Sequence, residues 1–229
     1  MVLGQIFPRH FYKKAGYNVI TFDLPDHDKN GKVKGMNKYA IGDYVNALKE
    51  EVAKLEESPI IVGHSMGGLI VQKYLESESC KQAILLAPAP PHGVWRTSLR
   101  FATKGYFYPA IAGLNLYGLV DTPQRSRHAF FGEELSEDEL MEYNGQLCSE
   151  SFLAFIGMLF PMVKINHHKE VPMLVIGGET DYIFTESDNL KTAQKYGAEL
   201  IMVKDIAHDL MLDKGYEKVA GHMLDWLKQ

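Results

Sequence analysis

Four short runs, apolar almost throughout, mark this 229-residue chain: PIIVG at 59–63, QAILLA at 82–87, VPMLVIG at 171–177 and LIMV at 200–203. Each has the length of a β-strand, and a strand that is apolar throughout must be covered on both faces. A further run, YNVITFD at 17–23, also reads as a strand. Helical spacing of apolar residues fills the intervals, over 40–57, from about 66 to 75, and over the amphipathic stretch 216–227. Strands alternating with helices in this way predict an α/β fold, a mostly parallel sheet with helices on both faces.

The alternation stops between Pro88 and about Glu170. That segment is rich in aromatic residues and reads as several short helices, one of them opening at LSEDE with Ser136 as N-cap and Glu139 closing a capping box. An insert of this length between two buried strands predicts a helical cap over the carboxyl ends of the sheet rather than a loop. The expected division is therefore a core of residues 1–88 and 171–229 with a helical cap, or lid, at 89–170.

Composition narrows the function. A net charge of −5 leaves no basic surplus to neutralise phosphates, which argues against a nucleic-acid partner. Two cysteines, Cys80 and Cys148, are too few for a disulfide framework, and the first ten residues lack the basic start and apolar run of a signal peptide. The longest apolar stretch, 152–163, contains Gly157 and Pro161 and is shorter than the roughly 20 residues a bilayer requires. These features together predict a soluble, cytoplasmic protein.

The chemistry concentrates where the run at 59–63 meets the next helix. There the sequence reads Gly63-His64-Ser65-Met66-Gly67-Gly68. Glycines on both sides of a serine permit a very tight strand-to-helix turn that lifts the hydroxyl out at the carboxyl edge of the sheet. The first N–H groups of the helix then face whatever the serine attacks. A serine hydroxyl needs a base, and the base needs an orienting acid. His208 follows the last strand and Asp181 the strand before it, so both reach the same edge, where catalytic groups of open α/β sheets gather. Glu179 and Asp205 compete with Asp181 for the acid role. The chain order, serine, acid, histidine, is the one associated with this elbow.

On four segments the sequence resembles the α/β-hydrolase superfamily, and more narrowly its esterase and lysophospholipase-like members with a helical cap. These are GYNVITFDLP at 16–25, the elbow at 63–68, residues 172–181 around the acid, and AHDLMLD at 207–213. The resemblance implies a serine hydrolase cleaving carboxylic esters. Ser65 would be its nucleophile, Asp181 the acid, His208 the base and the Met66 backbone N–H an oxyanion donor. It implies no metal and no organic cofactor, and a small hydrophobic ester as the partner of the site. Trp95 and Phe107, among the cap aromatics, are candidates for the walls of an acyl pocket. A homo-oligomer is compatible with such a chain. The same residues would also serve amide, thioester or carbon–carbon hydrolysis, or perhydrolysis.

One part of the family pattern is missing. Relatives carry, ahead of this region, a strand ending in a His-Gly motif whose loop gives the second oxyanion N–H. Here residues 6–15 already resemble the helix that follows that strand. The expectation is a shortened chain, a makeshift loop over 1–5 with Gly4 as the second donor, or a sheet that closes differently. Losing one oxyanion donor typically costs about 10²–10³ in turnover, so a weakly active or non-catalytic scaffold is the rival reading. Of the remaining polar residues, His64 is expected to pack or hydrogen-bond beside the nucleophile. Asp23, Asp26, His27 and Asp28 suggest a metal cluster, but the family carries glycines where Asp26 and Asp28 stand, and a solvated turn is the expectation. His167 and His168 read as loop.

Overall fold

A computed structural model describes residues 9–28, 31–164 and 171–229. Its sheet has four parallel strands in the order β1 (Ile60–His64), β2 (Gln82–Leu86), β3 (Met173–Gly178) and β4 (Glu199–Val203). All four fall on the apolar runs. The central strands β2 and β3 have no exposed side chain between Ile84 and Leu86 or between Leu174 and Ile176.

Because successive side chains of a strand point to opposite faces, β2 and β3 feed two separate cores. Ala83, Leu85, Met173 and Val175 join α2 (Ile41–Val52), α3 (Met66–Tyr74) and α9 (Glu186–Tyr196) on one face. Ile84, Leu86, Leu174 and Ile176 meet α10 (Tyr216–Trp226) on the other. Full burial of each such aliphatic side chain contributes about 1.5–3 kcal/mol, which is why these runs settle into the middle of the molecule.

Residues 17–23 correct one expectation: they do not form a strand. Tyr17 and Val19 pack against the second core, but Ile20 is largely exposed. A strand exists only where a neighbour in register takes its backbone groups. Among the described residues β1 pairs on one side only, with β2, and residues 17–23 follow α1 (Arg9–Lys14) without regular structure beside the core.

Among the described residues, five short α-helices and a 3-10 turn (Leu116–Leu119) lie between β2 and β3: α4 (Trp95–Ala102), α5 (Phe107–Ala112), α6 (Pro123–Phe130), α7 (Glu137–Gln146) and α8 (Phe152–Met158). The start of α7 is set as its sequence predicts. Ser136 accepts from the Glu139 N–H, while the Glu139 carboxylate accepts from the Ser136 N–H. These helices are bound to the rest of the chain by backbone as well as side chains. Gly31 and Cys148 form an isolated parallel bridge, the Ser149 N–H donates to the Gly31 carbonyl, and the Ser151 hydroxyl donates to the Tyr39 carbonyl.

Candidate active site

Ser65 stands between β1 and α3 with φ 53° and ψ −120°, a conformation that a non-glycine residue adopts only under constraint. The constraint is close packing of the turn. A Cβ on Gly63 would lie 2.5 Å from the Gly67 carbonyl oxygen, and one on Gly68 would lie 2.7 Å from Cβ of Pro88. The Ser65 N–H is taken by the Leu86 carbonyl, and its own carbonyl accepts from Gly68 and Ala89. The turn is thus clamped between β2 and α3, and the hydroxyl is left as its one free arm.

That hydroxyl lies 2.9 Å from Nε2 of His208, and Nδ1 of His208 lies 2.9 Å from Oδ2 of Asp181. The side chains of His208 and Asp181 are wholly buried. The other oxygen of Asp181 accepts from the N–H groups of Ile183 (2.7 Å) and Phe184 (2.9 Å), so the carboxylate is aimed by its own turn. The residues singled out from the strand ends, 143 and 27 positions apart, therefore meet in one hydrogen-bonded line. Glu179 and Asp205, the competing acids, are exposed to solvent.

His208 sits in a tight frame. Its imidazole is flanked by the rings of Phe130 (centroids 5.8 Å apart), Phe184 (5.4 Å) and His64 (4.9 Å). Asp213 accepts from the N–H of Ala207, and the Phe130 carbonyl accepts from the N–H of Asp209. Asp209 is itself buried, and its Oδ1 has no partner among the described residues. Burial, partly offset by the nearby His208, pushes its pKa up to about 6. Sequence reasoning missed this carboxyl, because adjacency to a histidine says nothing about burial.

Ser65 and Met66 open onto a cavity of about 180 Å³ walled mainly by apolar side chains, among them Phe101, Phe107, Leu147 and Met158. Phe107, one of the two residues expected to wall an acyl pocket, lines this cavity. Trp95 does not: it is 48% exposed at the start of α4 and is not part of the wall. Thr97, Ser98 and Phe101 give α4 its cavity face, and Trp95 lies about 200° round the helix from Thr97. Met66 is the first residue of α3, so its N–H belongs to the unsatisfied first turn of a helix and adjoins the serine. Gly4, the other expected donor, and His167 and His168 lie outside the described residues.

Among the described residues one charged group lines the cavity, Glu150. His27 Nε2 lies 3.2 Å from one of its oxygens, while the other accepts from the Tyr44 hydroxyl and the Ser151 N–H. Burial alone would raise the Glu150 pKa, but the His27 hydrogen bond and neighbouring groups hold it below the usual carboxylate value. Residues 25–28 form the expected turn, with Asp23 and Asp28 exposed, but this pairing corrects the expectation for His27, which is not solvated. His27 is buried, with Nδ1 against the Pro25 carbonyl, and Asp26 accepts from the Tyr39 hydroxyl. The signal was invisible in sequence, since Glu150 lies 123 positions from His27.

Comparison with known proteins agrees with this architecture. The model of a family described as serine aminopeptidase, S33, matches residues 10–215. Proline iminopeptidase PfmaB of Pestalotiopsis fici is 21% identical over 230 residues, covering 90% of this chain and 82% of that protein. The structure of a bromoperoxidase from Bacillus anthracis superposes with a TM-score of 0.72 at 18% identity, over 99% of this chain and 90% of the other. A thermophilic esterase from Thermogutta terrifontis gives a TM-score of 0.60 at 16% identity, over 90% and 78% of the two chains. Among the described residues no helix is long and apolar enough to cross a membrane.

Proposed function

Since the chain belongs to the serine aminopeptidase, S33, family of α/β-hydrolases, we propose that it is a serine hydrolase that cleaves carboxylic esters of small hydrophobic acids. The observation that carries this reading is the line Ser65–His208–Asp181, with both links at 2.9 Å, opening on an apolar cavity. His208 Nε2 takes the hydroxyl proton as Ser65 Oγ attacks the ester carbonyl, and Asp181 holds Nδ1–H and so selects the productive tautomer. The Met66 N–H donates to the oxyanion of the tetrahedral intermediate. His208 then protonates the departing alcohol, deprotonates a water that attacks the acyl-enzyme, and returns the proton to Ser65 as the acid leaves. The helices α4 to α8, within residues 89–170, act as the cap of this site, and residues 1–88 and 171–229 as its core.

Amide cleavage is the second reading. Glu150 favours it, because an ionised carboxylate in an otherwise apolar cavity suits an ammonium group, and a similar protein carries the name proline iminopeptidase. Labelling with a fluorophosphonate probe tests the shared chemistry: the wild type is expected to label and Ser65→Ala is not. A folded wild type that stays unlabelled refutes both readings. Turnover of p-nitrophenyl butyrate against proline p-nitroanilide then separates ester from amide.

A further inference from the structure

His64 precedes the nucleophile as the last residue of β1, paired with Leu86. Its ring is buried, and Nε2 lies 2.8 Å from the main-chain carbonyl oxygen of His208. A carbonyl only accepts, so Nε2 carries the hydrogen. Burial, reinforced by the adjacent His208, drives the His64 pKa well below its ordinary value. The ring therefore stays neutral, with its single hydrogen on Nε2 and a bare Nδ1. That Nδ1 is buried without a partner among the described residues, a cost that a residue serving only to fill space would not carry.

Two consecutive residues thus bind the two ends of one. Ser65 Oγ meets the His208 ring, and His64 Nε2 meets the His208 carbonyl. The neighbours of His208 are fixed separately, Ala207 by Asp213 and Asp209 by the Phe130 carbonyl. We infer that His64 is a positioning residue for the base, its Nε2–H holding the main chain of His208 at the distance from which the imidazole reaches Ser65. The inference rests on the hydrolase reading of this site. A misplacement of about 1 Å at a reacting group can cost about 10²-fold in rate, and the tether acts on that distance.

Two substitutions separate a tether from packing. His64→Phe keeps a ring of similar size and removes the donor, while His64→Gln removes the ring and keeps an N–H at about the same reach. With fluorophosphonate labelling rates, and with kcat and KM on p-nitrophenyl butyrate, His64→Phe is expected to lose about 10–100-fold in labelling and kcat. Its KM should stay within about twofold of wild type, and His64→Gln should recover most of the lost rate. The opposite order, with Phe faster than Gln and rates following melting temperature, overturns the role. Ring ¹⁵N chemical shifts of the wild type give a check independent of any variant. An Nε2–H tautomer from pH 5 to 9 is expected, and an Nδ1–H or protonated ring overturns the inference. Absence of labelling in the wild type refutes the hydrolase reading itself, whatever the tautomer.

Discussion

The hydroxyl of Thr97 on α4 donates to the carbonyl of Ile183 at 2.7 Å, and Arg100 donates to the same oxygen. Ile183 in turn gives its N–H to Asp181. The helices between β2 and β3 are thereby joined, through one peptide group on each side, to the carboxylate that orients His208. Thr97→Val removes a single hydroxyl from this chain of contacts. The expected loss is about 1 kcal/mol of stability, a melting temperature lower by about 2–4 °C. Ester turnover should fall by less than tenfold, since Arg100 still holds the carbonyl. Thermal melting and kcat on one p-nitrophenyl ester check both numbers.

Asp181→Asn tests the proposed role of the carboxylate in orienting His208. The amide keeps the shape, but its NH₂ group turned toward Nδ1 favours the tautomer that cannot take the serine proton. A drop in kcat of about 10³–10⁴ is expected with the fold retained. A loss below tenfold would show that the carboxylate at 2.9 Å does not govern the imidazole.

Gly178, at the end of β3, faces the carbonyl oxygens of Ile206 and Ala207, both of which a Cβ would strike. Backbone atoms on the approach to His208 cannot yield as a side-chain tip does. Gly178→Ala should therefore cost about 1–3 kcal/mol or more and reduce kcat with it. Gly145→Ala is the control. That glycine lies within α7 with open space around its Cβ position, and alanine there should stabilise by about 0.5–1 kcal/mol. Calorimetry of the two variants side by side decides the matter.

Asp209 predicts a pH dependence of stability. Its pKa in the fold, about 6, exceeds the ordinary 3.8, so the folded state holds the proton more tightly than the unfolded chain. The stabilising contribution is complete below about pH 4 and is lost as pH rises through 6, for a total of up to about 3 kcal/mol. Asp209→Asn carries no charge to desolvate. Its melting temperature should gain on the wild type between pH 4.5 and 7.5. Parallel curves over that interval would exclude a buried, proton-hungry carboxyl at this position.

The sheet was legible because β2 and β3 are buried on both faces, and such strands announce themselves as unbroken apolar runs. Ser65 was legible from its flanking glycines, which mark a turn too tight for side chains, and His208 and Asp181 from their places after strands. The segment at 17–23 misled because apolar content reports burial, whereas a strand also needs a partner in register. Trp95 misled because an aromatic residue near a cavity can face either way round its helix. The His27–Glu150 pairing and the His64 bond to the His208 carbonyl join residues 123 and 144 positions apart. No local pattern records such distances, which only the closed fold brings within reach.

The helices between β2 and β3 are fastened to the rest of the chain at two margins. Thr97 and Arg100 pin one side to the Ile183 carbonyl, and Ser149, Glu150 and Ser151 pin the other to residues 27–44. On the proposed reading of these helices as a cap, fastening at two margins opposes a hinged opening, and a substrate is expected to reach the cavity of about 180 Å³ past side-chain rotamers.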